Sequence, residues 1–312
     1  MFIEPVFFNY YIKHNDKRMI YLLSSILVST VIFVVFKLIG QHKALIFKVI
    51  VINYIVAAIT GYLLLAATDT PVISDFHLPG MVMAFIIGVM FIVMFYIVGL
   101  TTRHNGIVVT TISSKMSVIF PIILSISIDR NDHPDILTFA GICLTLISVF
   151  LTIYKKNPTG KTDFRYFYLP MTLFIGMGIV DSLVKYAQYN FITNANTVSF
   201  TAFLFTVSAI IGIFTSIIRK IRLTDFMKKR IILAGLTLGL ANLGSVYFLV
   251  KTLNLNRDIN IFLESSSIFA LNNMGIVLIS VITGFLFFKE KISILNAIGI
   301  FTSLSAIFLL MH

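Results

Sequence analysis

The segments ILTFAGICLTLISVFL (residues 136–151) and ILNAIGIFTSLSAIFL (residues 294–309) decide how this chain is read. Ile136, Leu137, Gly141, Ile142, Leu146, Phe150 and Leu151 recur at one constant offset as Ile294, Leu295, Gly299, Ile300, Leu304, Phe308 and Leu309. Both segments are continuously apolar and uncharged, without the alternation of a half-buried strand, so both read as helices. Two further matches keep the same order along the chain. Lys37 falls opposite Lys185, and Gly88, Tyr96 and Thr101 fall opposite Gly239, Tyr247 and Thr252. Together they indicate an internal duplication.

Composition says what solvent the duplicated unit folds in. Of the 312 residues, 58% are hydrophobic and only 12% charged, with a mean hydropathy of +0.98, whereas soluble domains carry about 25% charged residues. Apolar runs recur along the whole chain, at approximately 19–39, 44–67, 81–100, 106–128, 135–154, 167–188, 197–218, 231–253, 259–288 and 293–311. Such runs suit the ~20 residues that a helix needs to cross hydrocarbon. Continuous apolarity favours helices over barrel strands, because backbone groups in lipid must be satisfied internally. The expected fold is therefore all-α, a multi-pass protein of the plasma or inner membrane with about ten transmembrane helices. Residues 19–154 form a first five-helix repeat, 155–166 a basic connector, and 167–312 a second repeat, preceded by a juxtamembrane segment at 1–18. The first apolar run lacks a small-residue cleavage site and is expected to remain in the protein, with Met19 as an alternative start.

An odd number of helices per repeat sends the second copy into the bilayer from the opposite side. Inverted repeats of this kind are the common build of secondary transporters, with the substrate site near the midplane between the halves. Orientation follows from charge. Connections after odd-numbered spans hold Lys43, Arg103, Lys155, Lys156, Lys161, Arg165, Arg219, Lys220, Arg222, Lys228, Lys229, Arg230, Lys289 and Lys291, which places them in the cytoplasm and both termini outside. Lys13, Lys17 and Arg18 count against that orientation. The net charge of +11 lies largely in these connections, so nucleic acid is not an expected partner. The partners implied are the lipid bilayer and a small-molecule substrate, and a homodimer is compatible with the sequence.

Charged and polar groups within the spans are the candidates for chemistry, since a charge at the bilayer centre costs at least ~2.5–3.5 kcal/mol unless paired or hydrated. Lys115 stands near the middle of span four, beside Ser114. The repeat sets Asn273 opposite Lys115 and Asn272 opposite Ser114, bringing both clusters towards the pseudo-twofold axis. Glu264 begins span nine, whose length predicts a bend or early re-entry near Ser265–Ser267. Asp181 and Lys185 lie four apart on one face of span six, with the acid first, the order that favours an ion pair. Asn242, Tyr96 and Tyr247 are secondary cavity candidates, and Lys37 and Lys251 near span ends are expected to lift their amines to the interface. Gly176, Gly178, Gly235 and Gly239 are expected to let helices approach closely. With one cysteine, Cys143, and no His/Cys cluster, the chain offers neither a disulfide nor a metal site, and no cofactor is implied. The Gly160, Lys161, Thr162 run lacks the first glycine and the strand of a phosphate loop, so enzyme activity is not expected.

The run Phe288, Lys289, Glu290, Lys291, Ile292, Ser293, followed by Leu295, Asn296 and Gly299, resembles the closing segment of EamA-like transporters in the drug/metabolite transporter superfamily. Span number, the two five-helix halves and chain length resemble that superfamily from Met19 onward. The resemblance implies transport or export of a small metabolite such as an amino acid, nucleoside or sugar, and termini facing the cytoplasm, opposite to the charge count. Lys289 stands where the family commonly has a small residue, and Lys115 puts a cation where many relatives are neutral or acidic, so no substrate class carries over. The alternatives are a receptor-like binder or a partner subunit of a lipid-modifying or flipping complex, and then an intramembrane enzyme.

Overall fold

In the computed structural model, residues 5–40, 43–67, 78–128, 136–153, 165–192, 196–258, 265–290 and 293–310 are described. Among them the chain is all-helical and contains no strand. The elements are α1 (Pro5–Ile39), α2 (Lys43–Ala67), α3 (Leu78–Asn105), α4 (Ile107–Lys115), α5 (Ile119–Ile128), α6 (Ile136–Ile153), α7 (Arg165–Asn190), α8 (Thr197–Ile218), the short α9 (Leu223–Phe226), α10 (Lys229–Asp258), α11 (Ser265–Leu286) and α12 (Ile294–Leu309). Among the described residues, seven stretches are long and apolar enough to cross a membrane: Met19–Ile39, Leu45–Ala67, Leu78–Asn105, Ile107–Leu124, Phe167–Ala187, Thr197–Ile218 and Lys229–Leu249. Phe139–Ile153, Ala270–Leu286 and Ile294–Leu309 are apolar but shorter. The protein is thus a multi-pass membrane protein. α1 runs unbroken through the segment predicted to lie apart at 5–18.

The outer surface is apolar, unlike that of a water-soluble protein, and polar side chains are drawn into the interior beside the hydrophobic core. Leu23, Leu27, Phe85, Val93, Ile210, Phe214, Phe285 and Phe301 are exposed, while Ser25, Asn53, Thr110, Thr111, Ser117, Ser199, Ser208 and Ser280 are buried. An exposed apolar shell of this extent suits lipid tails and not water.

α4 and α5 are one span broken by a 3-10 turn at Met116–Val118. Pro121 lies in the first turn of α5, where a missing N–H is tolerated, but its ring disfavours a straight α-helix through the preceding residues. Lys115 is thereby set at the end of a short helix.

α6 pairs with α12, α1 with α10, α2 with α10 and with α8, α3 with α7 and with α8, α1 with α11, and α4 with α11 and with α7. Glycines permit the close approaches, as expected. A Cβ on Gly176 would strike Met94 of α3 and one on Gly178 would strike Phe120 of α5. Gly235 and Gly239 lie against Ile52 and Val56 of α2. Gly88 lies against the Leu204 carbonyl of α8, and Ser208 Oγ donates to the Gly88 carbonyl at 2.8 Å.

Candidate functional site

Two polar centres emerge among the described residues. One lies inside the bundle where α4 packs on α7 and on α11, and the other at one end of the bundle.

In the interior, Ser117 Oγ lies 2.6 Å from the Ser114 carbonyl and 2.9 Å from Asp181 Oδ2. The single hydroxyl hydrogen serves one acceptor at a time. When it bonds to the Ser114 carbonyl, a protonated Asp181 can donate to Ser117 Oγ; when it turns to Asp181, it solvates the carboxylate. The geometry accommodates both protonation states. The charge of Lys115 acts on Asp181, but the two do not close into a direct ion pair. The sequence paired Asp181 with Lys185. In the structure Asp181 also reaches across the α4–α7 interface to Ser117 and feels the charge of Lys115, while Lys185 is exposed on the same helix. Helical spacing identifies which side chains share a face, but it does not show which neighbouring helix competes for the acid.

Ser114 is buried, Ser113 Oγ is buried without a partner, and Lys115 is half-buried. On α11, Asn272 is buried with Oδ1 unpartnered, and Asn273 is half-buried. A buried amide oxygen without a donor is costly, on the order of 1–3 kcal/mol. Glu264 lies outside the described residues. Asn242 is buried and its Nδ2 donates to Asn53 Oδ1 at 3.4 Å, leaving Asn53 Nδ2 without a partner. Tyr96 packs edge-on against Phe47, and Tyr247 packs edge-on against Phe248 beneath the Lys251 amine, which lies 5.6 Å from the ring. Both tyrosines therefore have aromatic packing roles. Sequence reading missed Asn53 and Tyr54. Tyr54 is fully buried between Phe95 and Phe205 with its hydroxyl unpartnered. Polar residues in the middle of span two were the available signal. An apolar crevice between α11 and α12, lined by Met274, Leu304, Ser305, Phe308 and Leu309, contains none of the charged candidates.

The second centre gathers at the end of the bundle that holds the basic connections. α4 starts at Gly106, whose φ of 93° and ψ of 173° belong to glycine alone and which has no side chain to cap the helix. The cap comes from Glu290, in the turn before α12. Its Oε1 accepts from the Ile107 N–H at 2.8 Å and its Oε2 from the Val108 N–H at 3.4 Å. Lys37 Nζ at the end of α1 lies 2.5 Å from Glu290 Oε1 and 5.9 Å from the centre of the Phe288 ring. The sequence read Lys37 as an interfacial anchor, but its amine is committed to this acid. Hydrogen bonds to a charged group contribute about 1.5–3 kcal/mol, and a carboxylate at a helix N-terminus also meets the positive end of the dipole. Nearby, Lys48 of α2 bonds Asp225 at 2.8 Å, Arg219 covers Phe47 at 4.8 Å, and Asn296 Nδ2 donates to the Thr152 carbonyl at 2.7 Å. Asp225 is held below the usual carboxylate range, chiefly by the hydrogen bond from Lys48. No group of three or more metal-ligating side chains occurs among the described residues.

No family model matches the chain. An uncharacterized protein of Haemophilus influenzae is 26% identical over 298 residues, covering 93% of this chain and 97% of the relative. A protein of known crystal structure is similar at a TM-score of 0.62 and 10% identity, over 94% of this chain and 96% of its own. The likeness to that structure shows a shared fold across nearly the whole chain.

Proposed function

We propose that the protein is a secondary transporter, of the drug/metabolite type, that moves a small metabolite across the membrane by alternating access between two inverted five-helix halves. One observation carries this reading. If α1, α2, α3, α4 with α5, and α6 are exchanged for α7, α8, α10, α11 and α12, the principal pairings between the two halves map onto one another. The pair α1 with α10 becomes α7 with α3, α1 with α11 becomes α7 with α4, and α2 with α10 becomes α8 with α3. The pairs α2 with α8, α4 with α11 and α6 with α12 map onto themselves. The glycine contacts of the last pair are reciprocal. Gly141 meets Leu310, and Gly299 meets Thr152, which is the repeat position of Leu310. Start meets end in both contacts, as an antiparallel twofold requires.

Two oppositely oriented copies around a polar centre make the framework of alternating access. Ser114, Lys115, Asp181, Asn272 and Asn273 stand at that centre. A cation and a carboxylate that share the interior without neutralising each other directly leave room for a ligand or water between them. In this reading Lys115 holds an anionic group of the substrate, and Asp181 changes its partners with the transport step.

The test is counterflow in proteoliposomes, with substrates chosen from metabolites whose levels differ inside and outside cells that lack or overproduce the protein. Lys115→Met is expected to abolish flux while insertion and helix content stay normal, and Lys115→Arg to retain part of it. Wild-type flux in Lys115→Met removes the lysine from the mechanism. Ligand-stabilised melting without counterflow favours a binder that moves nothing.

A further inference from the structure

We infer that Glu290 is a latch that holds the basic end of the bundle shut across the two halves and is released each time that end opens; the inference rests on the alternating-access reading. Glu290 belongs to the turn between the last two helices of the second half. Everything its side chain holds belongs to the first half: Lys37 at the end of α1, and the Ile107 and Val108 N–H groups that begin α4.

Three features make the contact a built device. Gly106 leaves the start of α4 without a side-chain cap, and a Cβ there would lie 2.6 Å from Glu290 Oε1, so the glycine both creates the need for an acceptor and makes room for it. A Cβ on Gly284 of α11 would meet Ile107, Val108 and Glu290, so the facing helix is likewise pared away where the acid enters. The Glu290 N–H donates to the Gly284 carbonyl at 2.9 Å, which fixes the turn beneath its own side chain.

The acid is 13% exposed and the lysine 25% exposed. Water can reach the pair once the helices part, and all three donors can then be hydrated, which a bond that must break and re-form in every cycle requires. Lys48 with Asp225 and Arg219 with Phe47 also join the two halves, between α2 and the α8–α9 end. α4 also leads to Ser113, Ser114 and Lys115, so the latch holds the helix that carries the polar centre.

The experiment reads accessibility and needs no substrate. Cys143, the chain's single cysteine, is replaced by serine. Ser280, buried one turn along α11 from Gly284, is replaced by cysteine as the reporter. Ser208, buried in the α3–α8 seam, is replaced in a parallel protein as the control. Each protein is placed in nanodiscs and labelled with a membrane-impermeant maleimide. Glu290→Gln, which removes the charge and keeps the size, is expected to raise the labelling rate at position 280 by at least about tenfold and to leave position 208 unlabelled. Lys37→Met, which leaves the carboxylate on α4, is expected to give a smaller rise, and it decides the matter if Glu290→Gln does not fold. An unchanged rate at position 280, or an equal rise at position 208, overturns the latch. Opening at position 280 in a protein that moves no solute leaves the latch standing and removes transport. Flux in a protein whose position 280 stays closed in both variants does the reverse.

Discussion

Lys289 has a φ of 51°, the left-handed region that side chains with a Cβ enter at a cost. It adopts it because α11 ends there. The Phe288 N–H returns to the Thr283 carbonyl at 3.3 Å and the Glu290 N–H to the Gly284 carbonyl at 2.9 Å, an end that reverses the chain through one left-handed residue. A left-handed lysine also ends α8, at Lys220 with a φ of 50°, where the Ile221 N–H returns to the Ser216 carbonyl at 3.0 Å. Lys289 is exposed, so nothing is lost from the core by removing it. Lys289→Gly is therefore expected to stabilise the protein by roughly 0.5–1 kcal/mol, seen as a higher melting temperature in detergent. A lower melting temperature would mean that the lysine side chain contributes more than its backbone strain removes.

Among the elements, the apolar helices were legible because length and uninterrupted hydropathy suffice to define them. The break after Lys115 was not read from the sequence, although Pro121 was the signal available for it. The partners of charged groups were not legible. Lys37 and Glu290 lie 253 residues apart, and Ile107 and Glu290 183 apart; only the folded bundle joins them. Asp225 of α9 poses the same problem, since Lys48 lies 177 residues away on α2. Its carboxyl is depressed chiefly by the hydrogen bond from Lys48; burial opposes this, and the charge of Lys48 and the contacts of Lys228 add to the depression. A carboxyl lowered on folding contributes stability that is complete above its unfolded value, about 3.9, and is lost as pH falls through the lower folded value. The difference in melting temperature between the protein and Asp225→Asn is thus expected to stay constant from neutral pH to about 4, then to shrink on further acidification. A difference that shrinks already between pH 7 and 5 would show that Asp225 is not the group held by Lys48.

At the scale of the whole molecule, the question is how often the chain crosses. Seven helices satisfy length and hydropathy outright, and α6, α11 and α12 have shorter described apolar stretches. Yet α6 and α12 pack together along their length through the reciprocal contacts of Gly141 and Gly299, and α11 packs on both α1 and α4. A 16-residue helix such as α12 is about 24 Å long at 1.5 Å per residue, a few ångströms less than typical hydrocarbon, and a bilayer accommodates such a mismatch by local thinning. Paired with one another, α6 and α12 can share one thinned region. Crossing number has a direct consequence for the two ends of the chain. Ten crossings return the C-terminus to the side of the N-terminus, whereas seven put the termini on opposite sides. A fluorescent protein that matures only in the cytoplasm, fused in turn ahead of Met1 and after His312, is expected to give the same result at both ends. A third reporter placed at Gly160, in the basic connector, is expected to give the opposite result, because five crossings precede it. Termini on opposite sides, or a connector on the same side as the N-terminus, would remove the five-plus-five arrangement, and with it the reason to place Lys115 and Asp181 between two moving halves.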